Sequence, residues 1–248
     1  MGKKIVHRLS RVYTAQPLLS VDSVELVGSA SHYLTRVLRL SEGDSVCLFN
    51  GDGREYSAEI YKIQRQRLLV RINNNEVIGN ESPLNITLVQ AISRGERMDY
   101  SLQKATELGV FCIQPVISRR VEVRLDKKRQ AKRLSHWQGV VISACEQSGR
   151  AVVPEVKAPL SLSEWLAVSE TAQRLVLDPA AESGMSLVPI KANAVSVLVG
   201  PEGGFTSKEL DDVKAMGVTA VSLGPRVLRT ETAGPAAIAV LQAGVGDL

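Results

Sequence analysis

The chain is poor in the residues from which metal and disulfide sites are built. Its 248 residues hold three cysteines, Cys47, Cys112 and Cys145, far apart and without a Cys-x-x-Cys pair. That pattern suits buried, reduced thiols rather than disulfides or a metal cluster. His7, His32 and His136 are equally scattered, and without paired spacing no metal site is expected. Long apolar runs are also missing. The longest, such as Ala194 to Val199, match a strand rather than a bilayer. Met1-Gly2-Lys3-Lys4-Ile5-Val6 is followed by no apolar leader segment, and Val6 stands where a myristoylation signal wants serine or threonine. The expectation is a cytoplasmic chain with no membrane partner. Internal repeats and low-complexity stretches are absent as well.

What is present is a hydrophobic content of 44%, enough for a sizeable core, and a net charge of +4 that is unevenly placed. Residues 84–150 hold twelve Lys and Arg against six Asp and Glu, whereas residues 151–248 hold seven against eleven. Within the basic part, Arg119, Arg120, Arg124, Lys127, Lys128, Arg129, Lys132 and Arg133 face only Glu122 and Asp126. Such density suits contact with a polyanion, or equally a solvated helix face.

The apolar pattern changes partway along the chain. Ser45 to Phe49 and Glu55 to Ile63 read as strands around the turn Asn50-Gly51-Asp52-Gly53. Ahead of them, Ser31 to Leu40 places Tyr33, Val37 and Leu40 on one helical stripe that would cover the β module, with Arg36 and Arg39 facing outward. Asn73 to Pro83 is polar and turn-rich and reads as a linker, which puts a domain boundary near residue 80. Beyond it, Leu84 to Ile92, Asp99 to Leu108 and Phe111 to Ile117 give a β-α-β rhythm. Asp126 to Ser148 reads as a long helix, and Ser161 with Glu164 as a capping box. Strands at Arg174 to Leu177, Ser196 to Val199 and Ala220 to Leu223 complete an α/β domain with a largely parallel sheet.

In open α/β sheets, ligands sit beyond the carboxyl ends of the strands. Three loops occupy those positions here: 178–184, 200–204 and 224–232. The middle one, Gly200-Pro201-Glu202-Gly203-Gly204, matches neither a Walker loop nor a dinucleotide fingerprint. It has no lysine, and Glu202 would repel a phosphate. The glycines still allow close backbone approach. A flat heterocycle bearing a cationic group would satisfy both, and S-adenosylmethionine is such a ligand. The alternative is a plain strand-to-helix turn, with Thr206 and Glu209 as a capping box and Gly217 ending the helix.

The segments LVGPEGGF (198–205), SLGPRVLRTETA (222–233), QKATELGV (103–110) and ACEQSGR (144–150), with HYLTRVLRL (32–40) and FNGDG (49–53), span nearly the whole chain. Together they resemble the bacterial 16S ribosomal RNA uridine-N3 methyltransferase family. The resemblance implies a SPOUT-type parallel sheet with a C-terminal trefoil knot over residues 81–248 and a small N-terminal PUA-like β-barrel over residues 1–80. It also implies S-adenosylmethionine as cofactor, 16S ribosomal RNA of the small ribosomal subunit as partner, and a homodimer with the active site at its interface. The cofactor would be held by Leu177, Asp178 and Pro179, by Val199, Gly200, Pro201, Glu202, Gly203 and Gly204, and by Leu223, Gly224 and Leu228.

For chemistry, Arg229 and Glu231 are the expected pair. The guanidinium can stabilise charge growing on the uracil carbonyls, and the carboxylate can accept the N3 proton. The plainer alternative is an Arg–Glu pair that fixes a helix entrance. Arg36, Arg39, Arg119, Arg120, Arg124 and Arg226 are the expected RNA contacts. The rival class is a non-catalytic RNA-binding ribosome-assembly factor. A nucleotide hydrolase is disfavoured by the missing lysine loop. One local departure carries its own expectation: Gly234-Pro235 should delay regular helix until at or after Thr232, so that the proline falls among the free N–H groups.

Overall fold

The computed structural model of the protein describes residues 9–65, 67–121 and 127–248, with backbone alone at Lys127 and Lys128. The chain forms two compact units. The first comprises the described residues up to Asn80 together with Cys145–Val153, and the second Glu81–Ala144 with Pro154–Leu248.

In the first unit, β1 (Ser10–Tyr13), β2 (Ser23–Leu26), β3 (Ser45–Phe49), β4 (Arg54–Gln64) and β5 (Arg67–Val77) form a PUA-like sheet ordered β1-β3-β4-β5-β2. Only β1 and β3 pair in parallel; the other neighbours are antiparallel. Tyr56, Ala58 and Ile60 alternate inward along β4, the period a half-buried strand requires. With Leu34, Val46, Leu48 and Leu68 they make a core in which each large apolar side chain contributes ~1.5–3 kcal/mol. The 50–53 turn takes its positive backbone angles at Gly51 (φ 94°) and Gly53 (φ 82°). Just after it, the Tyr56 hydroxyl donates to Asp52 Oδ2 at 2.6 Å, and burial together with that carboxylate pushes the phenol up to about 12.

The returning segment is stitched into this unit. Arg11 pairs with Glu55 and donates from Nη2 to the Arg150 carbonyl at 2.8 Å. The Tyr13 N–H donates to Glu146 Oε1 at 3.0 Å, and the Gly53 N–H to the Ala151 carbonyl at 3.3 Å.

Two local expectations for this unit are corrected. Asn73, Asn74 and Asn75 are not linker but part of β5, which runs to Val77, and the Arg54 guanidinium donates to Asn75 Oδ1 at 2.8 Å. Exposed asparagines are tolerated because β4 supplies the backbone partners, with a bulge at Ser57/Ala58. The 31–40 stripe packs on the core as expected at Leu40 but is corrected at Tyr33 and Val37. Helix α1 (Gly28–His32) passes into a π-helical turn at Tyr33–Val37, closed by the Leu38 N–H on the Tyr33 carbonyl. The wider turn rotates the face, so Leu34, Leu38 and Leu40 turn to the core while Tyr33 and Val37 stand exposed. Arg36 and Arg39 are exposed, as expected, with Arg39 at φ 56°.

The second unit holds β6 (Asn85–Ala91), α2 (Glu96–Glu107), β7 (Cys112–Ile117), α3 (Lys127–Ser148, its last turn counted with the first unit), β8 (Glu155–Val156), β9 (Leu160–Ser161), α4 (Leu162–Val168), β10 (Gln173–Leu177), β11 (Ala194–Val199), α5 (Ser207–Ala215), β12 (Thr219–Val221) and α6 (Thr230–Val245). Its SPOUT-type sheet is ordered β12-β10-β11-β6-β7-β8, with β9 beside β7, and every pairing is parallel. Val195 to Val199 are buried without alternation, as a strand covered on both faces requires. Both capping boxes form, Ser161 with Glu164 and Thr206 with Glu209, and Gly217 (φ 76°) follows the end of α5. β12 stops at Val221, two residues short of the expected strand, which leaves Leu223 in the following loop. Among the described residues, no helix is long and apolar enough to cross a membrane.

The delayed start expected for the last helix is overturned. α6 opens at Thr230, and the N–H groups of Thr232 and Ala233 both donate to the Arg229 carbonyl at 2.9 Å. Pro235 therefore lies inside the helix, where it removes the N–H that would have reached the Glu231 carbonyl. Tertiary bonds set the start instead. The buried Thr230 hydroxyl donates to the Gly200 carbonyl at 2.7 Å and accepts from Gln90 Nε2 at 3.0 Å. Those bonds, at about 1 kcal/mol each, and burial of Ile238 and Leu241 outweigh the ~3 kcal/mol cost of an interior proline. Gly234 then brings the helix against β6, since a Cβ there would stand 3.2 Å from Leu88 Cδ1.

Candidate active site

The carboxyl ends of β10, β11 and β12 converge on one cavity of about 350 Å³. Leu177, Asp178 and Pro179 supply one wall, and Val199 to Glu202 with Gly204 and Phe205 supply the second. Leu223 and the run Arg226 to Glu231 close the third side, and Arg97 of α2 and Leu210 of α5 reach in. Much of the wall is aliphatic or aromatic, which suits a flat ring.

The glycine loop is shaped by close packing. A Cβ on Gly200 would stand 3.2 Å from the Phe205 ring, and Gly204 (φ 67°) donates its N–H to the Pro201 carbonyl at 2.8 Å. Glu209, buried at the start of α5, accepts from the Thr206 N–H at 2.8 Å and from the Arg119 N–H at 2.7 Å. Burial pushes its carboxyl up, but these hydrogen bonds and the Arg119 charge outweigh it and hold the group below its usual range. Asp178, also buried, accepts from the Ala180 N–H at 3.0 Å and lies 3.4 Å from Lys214 Nζ.

The rim carries a cluster of four charges. Glu202 Oε1 accepts from the Arg94 N–H at 3.1 Å and from Arg97 Nη1 at 3.0 Å. Burial raises this carboxyl too, and those donors again overcome the rise and hold it low. Arg97 Nε lies 3.9 Å from Glu231 Oε1, and Arg229 Nη1 lies 4.0 Å from the same oxygen. Glu202 is thus already matched by a cation, and a cationic ligand meets a balanced pair rather than a lone acid. Among the described residues, no group of three or more His, Cys, Asp or Glu is placed to hold a metal ion.

A profile of the RNA methyltransferase domain matches residues 80–242, well over half of the chain. The chain belongs to the RNA methyltransferase family. A second profile, the RNA methyltransferase PUA domain, matches residues 27–73. The ribosomal RNA small subunit methyltransferase E of Buchnera aphidicola subsp. Schizaphis graminum is 36% identical over 97% of this chain and 98% of its own length. A ribosomal RNA small subunit methyltransferase E from Neisseria gonorrhoeae, solved bound to S-adenosyl methionine, is 41% identical, with a TM-score of 0.91 over 97% of this chain and 99% of that one. A candidate methyltransferase from Legionella pneumophila, solved with bound cofactor SAM, is 40% identical, with a TM-score of 0.94 over 97% of this chain and 100% of that one.

Within this RNA methyltransferase fold, the expected site residues divide. All the expected cofactor residues line the cavity except Gly203, which faces the Arg120 side chain, and Gly224, which lies in the exposed loop. Arg226, Arg229 and Glu231 line it as well. Arg120 is directed elsewhere: its Nη1 donates to the Gly203 carbonyl at 2.6 Å, so its guanidinium braces the glycine loop from outside. Arg119 is exposed, with its main-chain N–H committed to Glu209. Arg36 and Arg39 belong to the first unit, and Arg124 lies outside the described residues.

Residue-type reasoning missed Arg97, Phe205 and Thr230. Arg97 left one usable signal. It sits in the first turn of α2 beside Glu96 and Asp99, at the helix end whose dipole disfavours a cation, so it needed acid partners from elsewhere.

Proposed function

We propose that the protein transfers a methyl group from S-adenosylmethionine to N3 of a uridine in 16S ribosomal RNA of the small subunit, working as a homodimer. The observation that carries this reading is the meeting of three strand-end loops at one largely apolar cavity with Arg229 and Glu231 at its edge. The residues fit the cofactor. The cavity lies within the ~300–1,000 Å³ of small-molecule sites, and the glycine at 200 lets the Phe205 ring pack against the loop, since a Cβ there would stand 3.2 Å from it. Leu177 to Pro179, Val199 to Glu202 with Gly204, and Leu223 with Leu228 would hold it through backbone groups and apolar contact. Bound there, it supplies an electrophilic methyl group on a sulfonium.

The protein's part is then orientation and proton handling. Orientation is worth ~7–11 kcal/mol, against roughly 3–5 kcal/mol from a positioned base. Glu231, with its side chain 16% exposed, takes up the uracil N3 proton, and Arg229 donates to the carbonyl oxygen that gains charge. Arg226 and Arg119, with Arg36 and Arg39 of the PUA-like unit (residues 1–80) and Arg124, grip phosphates while residues 81–248 read one unstacked base. The loop after β12 supports both the RNA and the dimer readings, because the Arg229 side chain and Val227 are each 80% exposed.

The test is mass mapping of small-subunit RNA incubated with the protein and labelled cofactor. A single uridine labelled at N3 is the expected outcome. Label on carbon or on another base removes the N3 assignment, and cofactor binding without any transfer favours the assembly factor.

A further inference from the structure

The four rim charges are not two separate pairs, because one side chain is common to both acids. Arg97 enters from the first turn of α2, and its two ends face different loops. Nη1 lies 3.0 Å from Glu202 in the glycine loop, and Nε lies 3.9 Å from Glu231 in the first turn of α6. Glu202 is fixed a second time by the Arg94 N–H at 3.1 Å, so it stays in place without Arg97. Among the described residues Glu231 has no such second anchor in the main chain: its other cation, Arg229, is 4.0 Å away on a side chain that is 80% exposed. Removing Arg97 therefore strips the two acids unequally.

We propose that Arg97 is a positioning residue for methyl transfer. Its guanidinium spans Glu202 and Glu231 and sets the carboxylate that takes the proton relative to the loop that holds the cofactor. The inference rests on the functional reading above. Arginine suits the task and lysine does not, because a planar fork reaches two carboxylates with separate N–H groups whereas an ammonium is a single point charge. No bond is made or broken by Arg97 itself. It acts on orientation, so its loss should appear in turnover more than in cofactor affinity.

The experiment compares wild type, Arg97→Gln, Arg97→Lys, Glu231→Gln and the double variant Arg97→Gln/Glu231→Gln. It measures S-adenosylmethionine affinity by calorimetry and single-turnover methylation of small-subunit RNA at saturating cofactor. For Arg97→Gln the expected result is a rate about 10- to 100-fold lower, a share of the effect of a positioned base, with cofactor Kd raised no more than about 5-fold. Arg97→Lys should recover the Kd and leave the rate depressed. Once Glu231 is Gln, adding Arg97→Gln should cost little more, because the two act as one unit. A folded Arg97→Gln within about twofold of the wild-type rate, or rate losses that multiply in the double variant, would overturn the proposal while leaving the methyltransferase reading intact. If Arg97→Gln folds poorly in a thermal melt, Arg97→Lys carries the test, and a wild-type rate in that variant overturns the bridge. A wild-type protein that binds no cofactor, or binds it and labels no RNA, overturns the functional reading and this inference with it.

Discussion

Between Gly200 and Phe205 the chain is held from several directions: Glu202 by the Arg94 N–H and Arg97, the Gly203 carbonyl by Arg120, and the Gly200 carbonyl by Thr230. Between Gly224 and Leu228 no such hydrogen bond is found among the described residues. Val227 and the Arg229 side chain are 80% exposed, and Arg229 reaches Glu231 only at 4.0 Å. Both loops line the same cavity. The contrast separates two tasks at one site: a braced backbone presents fixed groups to a small ligand without paying for their ordering, whereas an open loop leaves its contact surface for something large.

If that division holds, damage to the open loop should spare cofactor affinity. The largest effect expected is on chemistry. Glu231→Gln or Arg229→Ala should lower single-turnover methylation by about 10²-fold or more while leaving the Kd for S-adenosylmethionine within about twofold. A rate that stays at the wild-type level with Arg229→Ala would remove that residue from the mechanism. Next comes the braced loop itself. Gly200→Ala places a Cβ 3.2 Å from the Phe205 ring and should weaken cofactor binding about tenfold, the order of a small overpacking cost. Gly224→Ala meets open space, although at φ 79° it strains the backbone, and should move the Kd by less than about threefold.

Acid offers a third comparison. Glu202 and Glu209 both anchor the glycine loop, and both titrate below the ordinary value of 4.5. A depressed carboxyl contributes stability that is fully present above its unfolded value and is lost as pH falls through its lower folded value. Resistance to unfolding should therefore stay flat from pH 7 to about 5 as far as this pair is concerned and fall below about 4.5. The 224–229 loop contains no acid, so a loss of stability that begins near pH 6 would point to a group outside this pair. A similarly small effect is expected of Arg120→Ala. It removes an exposed donor to the Gly203 carbonyl and should weaken binding about two- to fourfold. An unchanged Kd would show that the other braces suffice.

The elements of the second unit were legible because its signals are local. The Ser161 and Thr206 caps, Gly217 after α5 and the apolar strand runs each act within a few residues. The same is true of the three strand-end loops, whose shared position follows from the parallel sheet. What could not be read was set by contacts far along the chain. Thr230 starts α6 early because Gly200 and Gln90 hold it, 30 and 140 residues away. Arg97 joins Glu202 across 105 residues, and Arg120 turns from solvent to a carbonyl 83 residues on. The π-helical turn at Tyr33–Val37 is the converse case. The 3.6-residue period does not hold where the backbone widens, so two of the three stripe residues, Tyr33 and Val37, miss the core.

The segment Cys145–Val153 belongs to the first unit although the rest of that unit lies before residue 81. Translation delivers a chain from its amino end, so all five strands of that sheet exist on the nascent polypeptide long before Glu146, Arg150 and Ala151 arrive to receive Tyr13, Arg11 and Gly53. The amino-terminal module must wait for residues 81–144 of its neighbour to be made before it can close. A gene fragment ending at residue 80 would therefore encode a sheet that lacks its last strap.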